Sequence, residues 1–543
     1  MWASPTSHAN LSIYLKGGLG LLLAFLLLFR AYTFFEFTNS DRNLQVWQAI
    51  HWLNGNGLSQ SMVDEENLQE VHYFEHPTWP PAYPILVAAG LKLGIGVFPL
   101  ILGLHFLFLL ALWVLLWFWA RSWLPDLLAG GLMVYWALSF APLHYVGSTG
   151  LAALAFLLGA MYSLFQWSKT LHWKPFVLAT TLLVFAIYLR LAYIPFLLLP
   201  ALALLFQPPK KPLRWWAGLL GLGLVLFLPL LFWYLGTEVR PEAIRSFSSL
   251  DEGAGPYWHH LLRMDAFALK SYWFIYGPKL AALLQIPVSW IQWVLGGINL
   301  ALIGLAGWAM LKRVRKDFTS QLAVSVVGLN LGFLLLLSLL VPFQDWGKGI
   351  TWTFVEESRY YIPSMLIMQV CLVHYFWVQK LSPRWQNLGR IGLLSLGLIG
   401  LFHSGYRWHA QLVLQEKGLA TGSTFDQDLR SIYAFVKNTR VPDSQARWIY
   451  AKDQYTYHAQ QVVAGWAGAQ PVFLRTFLRS DPQRHAGLQL YFHLSADQLY
   501  QLQKLGPLYF DEEAASFLGI IQGLSVWLYE IPAADSASPT PSE

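Results

Sequence analysis

Cysteine and charged residues are scarce in this sequence. Cys371 is the single cysteine among 543 residues, so no disulfide can form within the chain. Charged side chains make up 12% of the residues and hydrophobic ones 56%, whereas about a quarter of the residues of a soluble domain are charged. These shortages exclude a disulfide-stabilised secreted domain and an ordinary soluble enzyme, and they predict an integral membrane protein.

Apolar runs of membrane-spanning length recur along the chain, and we predict about eleven transmembrane helices. A shorter apolar run at 84–96 is predicted to lie at the membrane interface. The loop before it is predicted to be external and Arg121 after it cytoplasmic, so an odd number of membrane crossings must separate them, and the run at 98–120 supplies the single crossing. The predicted spans cover residues 11–35, 98–120, 124–142, 146–167, 173–189, 191–206, 215–235, 286–311, 322–341, 362–378 and 391–402.

The net charge of +6 does not indicate a nucleic-acid partner. The basic residues cluster in short segments between apolar runs, where positive charge sets the orientation of membrane helices. The clusters at 210–214, 312–316 and 380–390 are therefore predicted to be cytoplasmic. This orientation predicts a multi-pass protein of the cell inner (plasma) membrane, with its N-terminus in the cytoplasm and its C-terminal residues outside.

A long polar segment at 36–84 separates the first two apolar runs, and it is predicted to be external because its charges are almost all acidic. Asp41 lies about one turn beyond the first apolar run, and an ionisable residue at a membrane boundary indicates a functional site. A second long external loop is predicted at 236–285. The first segment continues with a predicted helix around 46–53, then Gly55 and Gly57, and finally Pro80-Pro81-Ala82-Tyr83-Pro84.

This order of features resembles the first external loop of the GT-C membrane glycosyltransferases, the superfamily that includes protein mannosyltransferases and aminoarabinose transferases. The resemblance implies transfer of a sugar from a polyprenyl-phosphate donor to a glycan, glycolipid or protein acceptor at the external face, as in the assembly of cell-envelope glycans. It implies inversion at the sugar carbon, with Asp41 as general base and no cofactor. Many relatives carry a second acid directly after this aspartate, and here that position is Arg42.

Transfer from a phosphate carrier requires a base for the acceptor hydroxyl and cations or hydrogen-bond donors for the leaving phosphate. Asp41 is the predicted base. Either Arg42 serves the donor phosphate, or a second acid comes from elsewhere, such as Glu36 or Glu75. The alternative is that Asp41 only caps a helix that begins near Asn43.

Further residues are predicted around the substrates. Arg359 and Tyr360 precede the tenth span, where the resemblance implies contact with the donor phosphate; the alternative is an interfacial belt that anchors the helix. The residues predicted to line the substrate site are Glu36, Glu75, His76, Trp79, Tyr83 and Arg190. An aromatic belt also explains Trp79 and Tyr83, and snorkelling to the interface also explains Arg190.

No metal site is predicted, although the chemistry does not exclude a divalent cation. His259 and His260 are adjacent and would point to different faces of a helix, so they are poor joint ligands. His105 and Cys371 lie within apolar runs and are predicted to be core residues.

The composition changes after residue 405, where charged and amide residues return. Alternating helix and strand patterns predict a small external α/β domain at 406–532, after a transmembrane domain at 1–405 and before a disordered tail at 533–543. The predicted elements are helices at 425–437, 454–463 and 496–505 and strands at 447–450, 507–510 and 525–529.

Two other function classes fit the sequence. One is a polytopic transporter or lipid flippase, which is expected to show broken helices at matching positions in two halves. The other is an inactive relative that binds glycolipid, an alternative that the Arg42 departure keeps open. Long, asymmetric external loops and an external C-terminal domain favour the enzyme.

Overall fold

The chain divides by compactness into two units in a computed structural model. The helical unit comprises residues 1–34 and 101–411, and the mixed unit comprises residues 35–100 and 412–543. The structure describes positions 18, 20 and 25 and residues 40–64, 67–75, 80–139, 147–208, 213–236, 284–314, 317–340, 344–345, 351–352, 361–379, 381–416, 424–438, 446–451, 463–480, 485, 487–507, 509–521 and 524–531.

Helices in the helical unit follow the apolar runs, because a helix satisfies its own backbone groups where water is absent. Among the described residues, three segments are long and apolar enough to cross a membrane, Val97–Trp123, Thr149–Thr170 and Pro383–Tyr406. The total of eleven stays a prediction. The helices are α3 Val97–Trp123, α4 Asp126–Ser139, α5 Gly147–Thr170, α6 Trp173–Leu189, α7 Leu199–Phe206, α8 Leu213–Gly236, α9 Val288–Val314, α10 Phe318–Leu340, α11 Ile362–Trp377 and α12 Pro383–Glu416, with a 3₁₀ helix at Leu191–Leu198 and short strands β3 Gln344–Asp345 and β4 Thr351–Trp352.

The predicted span at 191–206 is not one continuous α-helix. Arg190 is extended, with φ −158° and ψ 115°, and a 3₁₀ helix over Leu191–Leu198 precedes α7. Pro195 lies inside the 3₁₀ segment, where its missing N–H removes one backbone hydrogen bond. The two predicted core residues of this unit, His105 and Cys371, are both buried.

The mixed unit contains both the first polar loop and the C-terminal sheet. Its first strands form an antiparallel hairpin in which Ser59 pairs with Glu75 and Val63 with Val71. The elements are α1 Ser40–Leu53, β1 Ser59–Val63, β2 Val71–Glu75, α2 Ala82–Lys92, α13 Thr424–Asn438, β5 Ala446–Tyr450, β6 Gln470–Phe473, α14 Leu474–Arg479, β7 Gln489–Leu494, α15 Ala496–Leu505, β8 Ser516–Ile521 and β9 Leu524–Glu530.

The five-stranded sheet has the order β6-β5-β7-β9-β8. Strand β5 is parallel to β6 and β7, whereas β9 is antiparallel to β7 and β8. All five residues of β5 are buried, as expected of a central strand covered on both faces. One core includes Ile432 of α13 with Trp448 and Tyr491 of the sheet.

The other core joins the first loop to the sheet. Val63 and Leu68 of the loop pack in one apolar cluster with Ile449 and Phe492 of the sheet. The division by compactness therefore differs from the predicted one, since residues 35–100 group with the C-terminal sheet and not with the helices.

Several predicted elements of the C-terminal region are observed and one is not. Helix α15 spans the predicted residues 496–505, while the helix predicted at 454–463 lies outside the described residues except for Val463. The strand predicted at 507–510 is wrong for the described positions Pro507, Tyr509 and Phe510. Gly506 ends α15 with φ 109°, and the amides of Tyr509 and Phe510 donate back to its carbonyl, which makes this segment a turn.

Candidate active site

Helix α1 buries an unusual number of polar side chains. Its strongly buried polar residues, each at most 4% exposed, are Arg42, Asn43, Gln45, Gln48 and His51. Burial of a polar group is unfavourable unless hydrogen bonds or a ligand compensate for the lost water. A helix that merely connects two membrane spans has no need of this composition, so α1 is the first candidate for a functional element.

The turn after α1 defines where the helix ends. Gly55 and Gly57 have positive φ angles of 88° and 73°, a conformation that residues with a Cβ rarely adopt. The amide of Asn56 donates to the carbonyl of His51, which closes the last turn, and β1 begins two residues after Gly57. The Gly-x-Gly spacing thus folds β1 back against α1, and these two elements are in contact.

Asp41 is the second residue of α1. The alternative in which Asp41 caps a helix starting near Asn43 is therefore incorrect in its register, because the helix begins at Ser40, before the aspartate. A carboxylate in a first turn is favoured by the helix dipole, typically by 0.3–1 kcal/mol. Helical spacing also places position 41 on the same face as positions 45 and 48, at i+4 and i+7.

Three elements meet at a buried hydrogen-bond chain on this face of α1. The hydroxyl of Ser61 in β1 donates to Oε1 of Gln470 in β6, and its Oγ lies 3.3 Å from Nε2 of His51. A serine has one hydroxyl proton, so Nε2 of His51 must carry the proton that joins it to Ser61. Among the residues that the structure describes, Nδ1 of His51 is buried without a hydrogen-bond partner.

Burial lowers the pKa of His51 from 6.5 to about 4. The cause is desolvation, because protonation would place a charged N–H at the unpartnered, buried Nδ1. His51 is therefore neutral at physiological pH, and its ring also packs edge-on against Trp47 and Tyr73.

We expect the mixed unit to lose stability as the pH falls from about 6.5 to about 4. In this window the unfolded chain binds a proton at His51 that the folded chain does not, so the free energy of unfolding falls with pH by up to about 3 kcal/mol. Hydrogen exchange of strands β5 and β7 in the full-length protein, corrected for intrinsic rates, measures the effect.

His51→Gln should flatten this pH dependence, since a glutamine keeps an N–H for Ser61 and cannot titrate. His72→Gln is the matched control, because His72 stands on β2 of the hairpin that carries Ser61, with its side chain 56% exposed and 3.4 Å from Asp64. Equal pH dependence in His51→Gln and the wild type would show that His51 does not titrate in this way.

A partly open cleft in the helical unit holds Arg190. The residues that line it are Arg190, Ala192, Tyr193, Phe196, Asn330, Phe333, Leu334 and Pro363. Arg190 is half-buried at the junction of α6 and the 3₁₀ helix, where the extended backbone turns its side chain out of the helical path. Pro363, four residues after Arg359 in the sequence, lines the same cleft. A guanidinium beside an amide can donate hydrogen bonds to an anionic group at the mouth of such a cleft.

The remaining predicted site residues either lie in the mixed unit or fall outside the described part of the chain. Tyr83 is fully buried in α2, which packs against α1, and Glu75 is the last residue of β2. The structure thus brings Asp41, Arg42, Tyr83 and Glu75 into one unit at the level of their elements. The predicted residues that lie outside the described part of the chain are Glu36, His76, Trp79, Arg359 and Tyr360.

Sequence reasoning missed Gln48, His51, Ser61 and Gln470. Gln45 and Gln48 follow Asp41 at i+4 and i+7, but such a polar stripe is also typical of a solvated helix face, so the sequence alone does not single them out. Among the described residues, no group of three or more histidine, cysteine, aspartate or glutamate side chains is arranged to hold a metal ion. His259 and His260 lie outside that part of the chain.

Comparisons with known proteins complete the description of the site. No protein-family model matches the sequence, and no curated protein matches it. Among solved structures, the chain is similar to ArnT from Cupriavidus metallidurans, whose crystal structure has undecaprenyl phosphate bound. The match covers 99% of this chain and 100% of that one, with a TM-score of 0.47 and 13% identity. At this identity and TM-score the likeness identifies neither a family nor an activity, so the residues of the chain itself must support a function.

Proposed function

We propose that this protein is an integral membrane glycosyltransferase. It transfers a sugar from a polyprenyl-phosphate donor to a lipid-, glycan- or protein-borne acceptor at the external membrane face, with inversion and with Asp41 as general base. The observation that supports this most is the buried polar face of α1, the helix that begins at Ser40 and carries Asp41. Such a face is expected where a hydroxyl-rich substrate and a base must be held together.

The chemistry divides between two kinds of group. The carboxylate of Asp41 takes the proton of the acceptor hydroxyl as this attacks the sugar carbon. Guanidinium groups neutralise the phosphate that leaves with the polyprenyl chain, and Arg42 and Arg359 are the proposed ligands, with Tyr360 as a further donor. Arg190 is a further candidate for contact with an anionic group, because it lies with Asn330 in a partly open cleft. The sugar is already activated by its phosphate, so no cofactor is required.

One observation favours a transporter as the second candidate. The interruption of the helix at Arg190 and Pro195 is the kind of break that lines binding sites in transporters. Transporters usually have such breaks in two matching halves. The mixed unit, with its polar loop helix and five-stranded sheet, is better explained by chemistry at one membrane face.

The experiment that tests the function compares cells that lack the protein with cells in which the wild type is restored. Mass spectrometry of surface glycans and of lipid-linked intermediates gives the mass difference. A glycosyltransferase restores one defined sugar increment on the acceptor and consumes the lipid-linked donor. A transporter or flippase instead shifts a lipid-linked glycan between membrane faces without a change of mass, and that result would replace the enzyme with the second candidate.

A further inference from the structure

The side chain of Gln48 is buried, and no described residue pairs with it. It is 1% exposed, and within the described ranges neither its Nε2 nor its Oε1 has a partner. Buried side-chain amides are normally paired, and each unpaired atom in a native protein requires an explanation. Among the residues that the structure describes, both a donor and an acceptor of Gln48 are left without a partner.

Neighbours of Gln48 along α1 are anchored by contacts with the rest of the mixed unit. His51, one turn further along α1, presents the unpartnered Nδ1 to the interior, while its Nε2 is held through Ser61 and Gln470. Trp47 is wedged against Gly465, where an added Cβ would come within 2.6 Å of the ring. Trp466 donates from Nε1 to the carbonyl of Asn43 at 3.0 Å. The helix cannot easily rotate to pair Gln48 elsewhere.

We propose that Gln48 binds hydroxyl groups of the sugar during transfer and is a specificity-determining residue. A glutamine amide offers one acceptor and two N–H donors, the combination that recognises neighbouring hydroxyls. Position 48 lies two helical turns from Asp41 on the same face, about 10 Å along the axis, which is the length of about two sugar rings. This inference rests on the proposed function.

The Gln48 amide would discriminate between sugars, because a wrong sugar leaves its N–H or C=O group without a hydrogen bond. A sugar that lacks the matching hydroxyl, or carries it in the other orientation, leaves the amide unsatisfied in a buried site. Sites that hydrogen-bond a substrate hydroxyl reject analogues without it far more strongly than apolar pockets reject a change of size.

The test replaces Gln48 with apolar residues of similar size, Gln48→Met and Gln48→Leu, in the full-length protein. Removal of an unpaired buried amide should leave the melting temperature unchanged or raise it. The amide contributes no hydrogen bond to the folded state, and the apolar side chain has no polar group that loses water on burial. Transfer in cells, read as the sugar increment at matched membrane levels, should fall by about tenfold or more. A merely structural glutamine cannot produce this combination.

Gln489→Met is the matched control. Gln489 begins β7 in the same unit, is half-buried and has a buried Oε1 that no described residue pairs, so this variant makes the same substitution away from α1. Transfer by Gln489→Met should equal that of the wild type. A second measurement shows which substrate carries the hydroxyls. Lipid-linked sugar and acceptor are each extracted from cells that lack the protein and added in excess to membranes that contain Gln48→Met. The substrate that the amide binds is the one whose excess restores transfer.

Two outcomes overturn the inference. Unchanged transfer by Gln48→Met and Gln48→Leu would mean that no sugar hydroxyl meets the amide. A marked fall in the melting temperature of both variants would mean that Gln48 is a structural group. Failure of the wild type itself to produce an increment would instead refute the proposed function, which keeps the two failures distinct.

Discussion

Asp41→Asn is expected to reduce transfer by about 10²- to 10⁴-fold, the range that a positioned general base contributes. The amide of asparagine has almost the shape of the carboxylate, but it cannot accept the proton of the acceptor hydroxyl at neutral pH. The stability of α1 should change far less. A carboxylate in the first turn of a helix contributes only about 0.3–1 kcal/mol through the helix dipole.

The measurement is the sugar increment in cells restored with the wild type or with Asp41→Asn, at matched membrane levels. Glu70→Gln is the matched control, because it also converts a carboxylate to an amide in the same loop. Glu70 is exposed and accepts a hydrogen bond from Nδ2 of Asn67 at 2.9 Å, well within the reach of a glutamine oxygen. Full restoration by Asp41→Asn would leave Asp41 a structural role alone and would refute the mechanism.

The contrast between activity and stability separates the two roles of Asp41. If Asp41 mattered only for the helix, activity and unfolding free energy would decline together and modestly. If it is the base, activity collapses in a protein that unfolds at almost the same temperature.

Residue patterns predicted the regular elements well where hydrophobicity has a simple period. Helix α6 covers the predicted residues 173–189, and α13 extends the predicted 425–437 by one residue at each end. The interruption at Leu191–Leu198 was missed because hydropathy is uniform through it. Only backbone geometry, set by Pro195 and by the extended Arg190, distinguishes a 3₁₀ helix from a continuous span.

Local sequence patterns could not predict that the first loop packs against the C-terminal sheet. Strands β1 and β2 carry mixed polar and apolar residues without the turn signals of a tight hairpin, and the burial of β1 depends on distant partners. Ser61 and Gln470 are 409 residues apart in sequence, so nothing near either one indicates their contact.

The same limit applies to the candidate site. Asp41 was predicted from its place beyond an apolar run, which is a local property. Gln48 and His51 became candidates only when the structure showed them buried, because a polar stripe on a loop helix is ordinarily a solvated face.

The second large effect is expected from Arg447, a fully buried residue of β5 that reaches the first loop. Its Nε donates to the carbonyl of Leu68 at 2.6 Å and its Nη2 to that of Gln69 at 3.2 Å. Burial lowers the pKa of Arg447 to about 10, so the guanidinium remains charged at neutral pH and its hydrogen bonds are charge-assisted.

Arg447→Met should weaken the attachment of the hairpin to the sheet by about 3 kcal/mol. The variant removes the donors to both loop carbonyls while keeping most of the apolar stem. Hydrogen exchange should rise about a hundredfold in residues 59–75, with a much smaller rise in β9, which lies on the far side of β7 from β5. Arg479→Met, a change of the same kind on the exposed end of α14, should leave both regions protected.

Transfer should fall in Arg447→Met by more than the loss of folded protein explains. The hairpin presents Ser61 to His51, so its release removes a support of α1 at His51, one turn from Gln48. Arg447→Lys should be intermediate, because one ammonium cannot span two carbonyls as a guanidinium does. If hydrogen exchange of the hairpin is unchanged in Arg447→Met, the apolar contacts of Val63 and Leu68 suffice to hold it. Transfer by the variant should then equal that of the wild type.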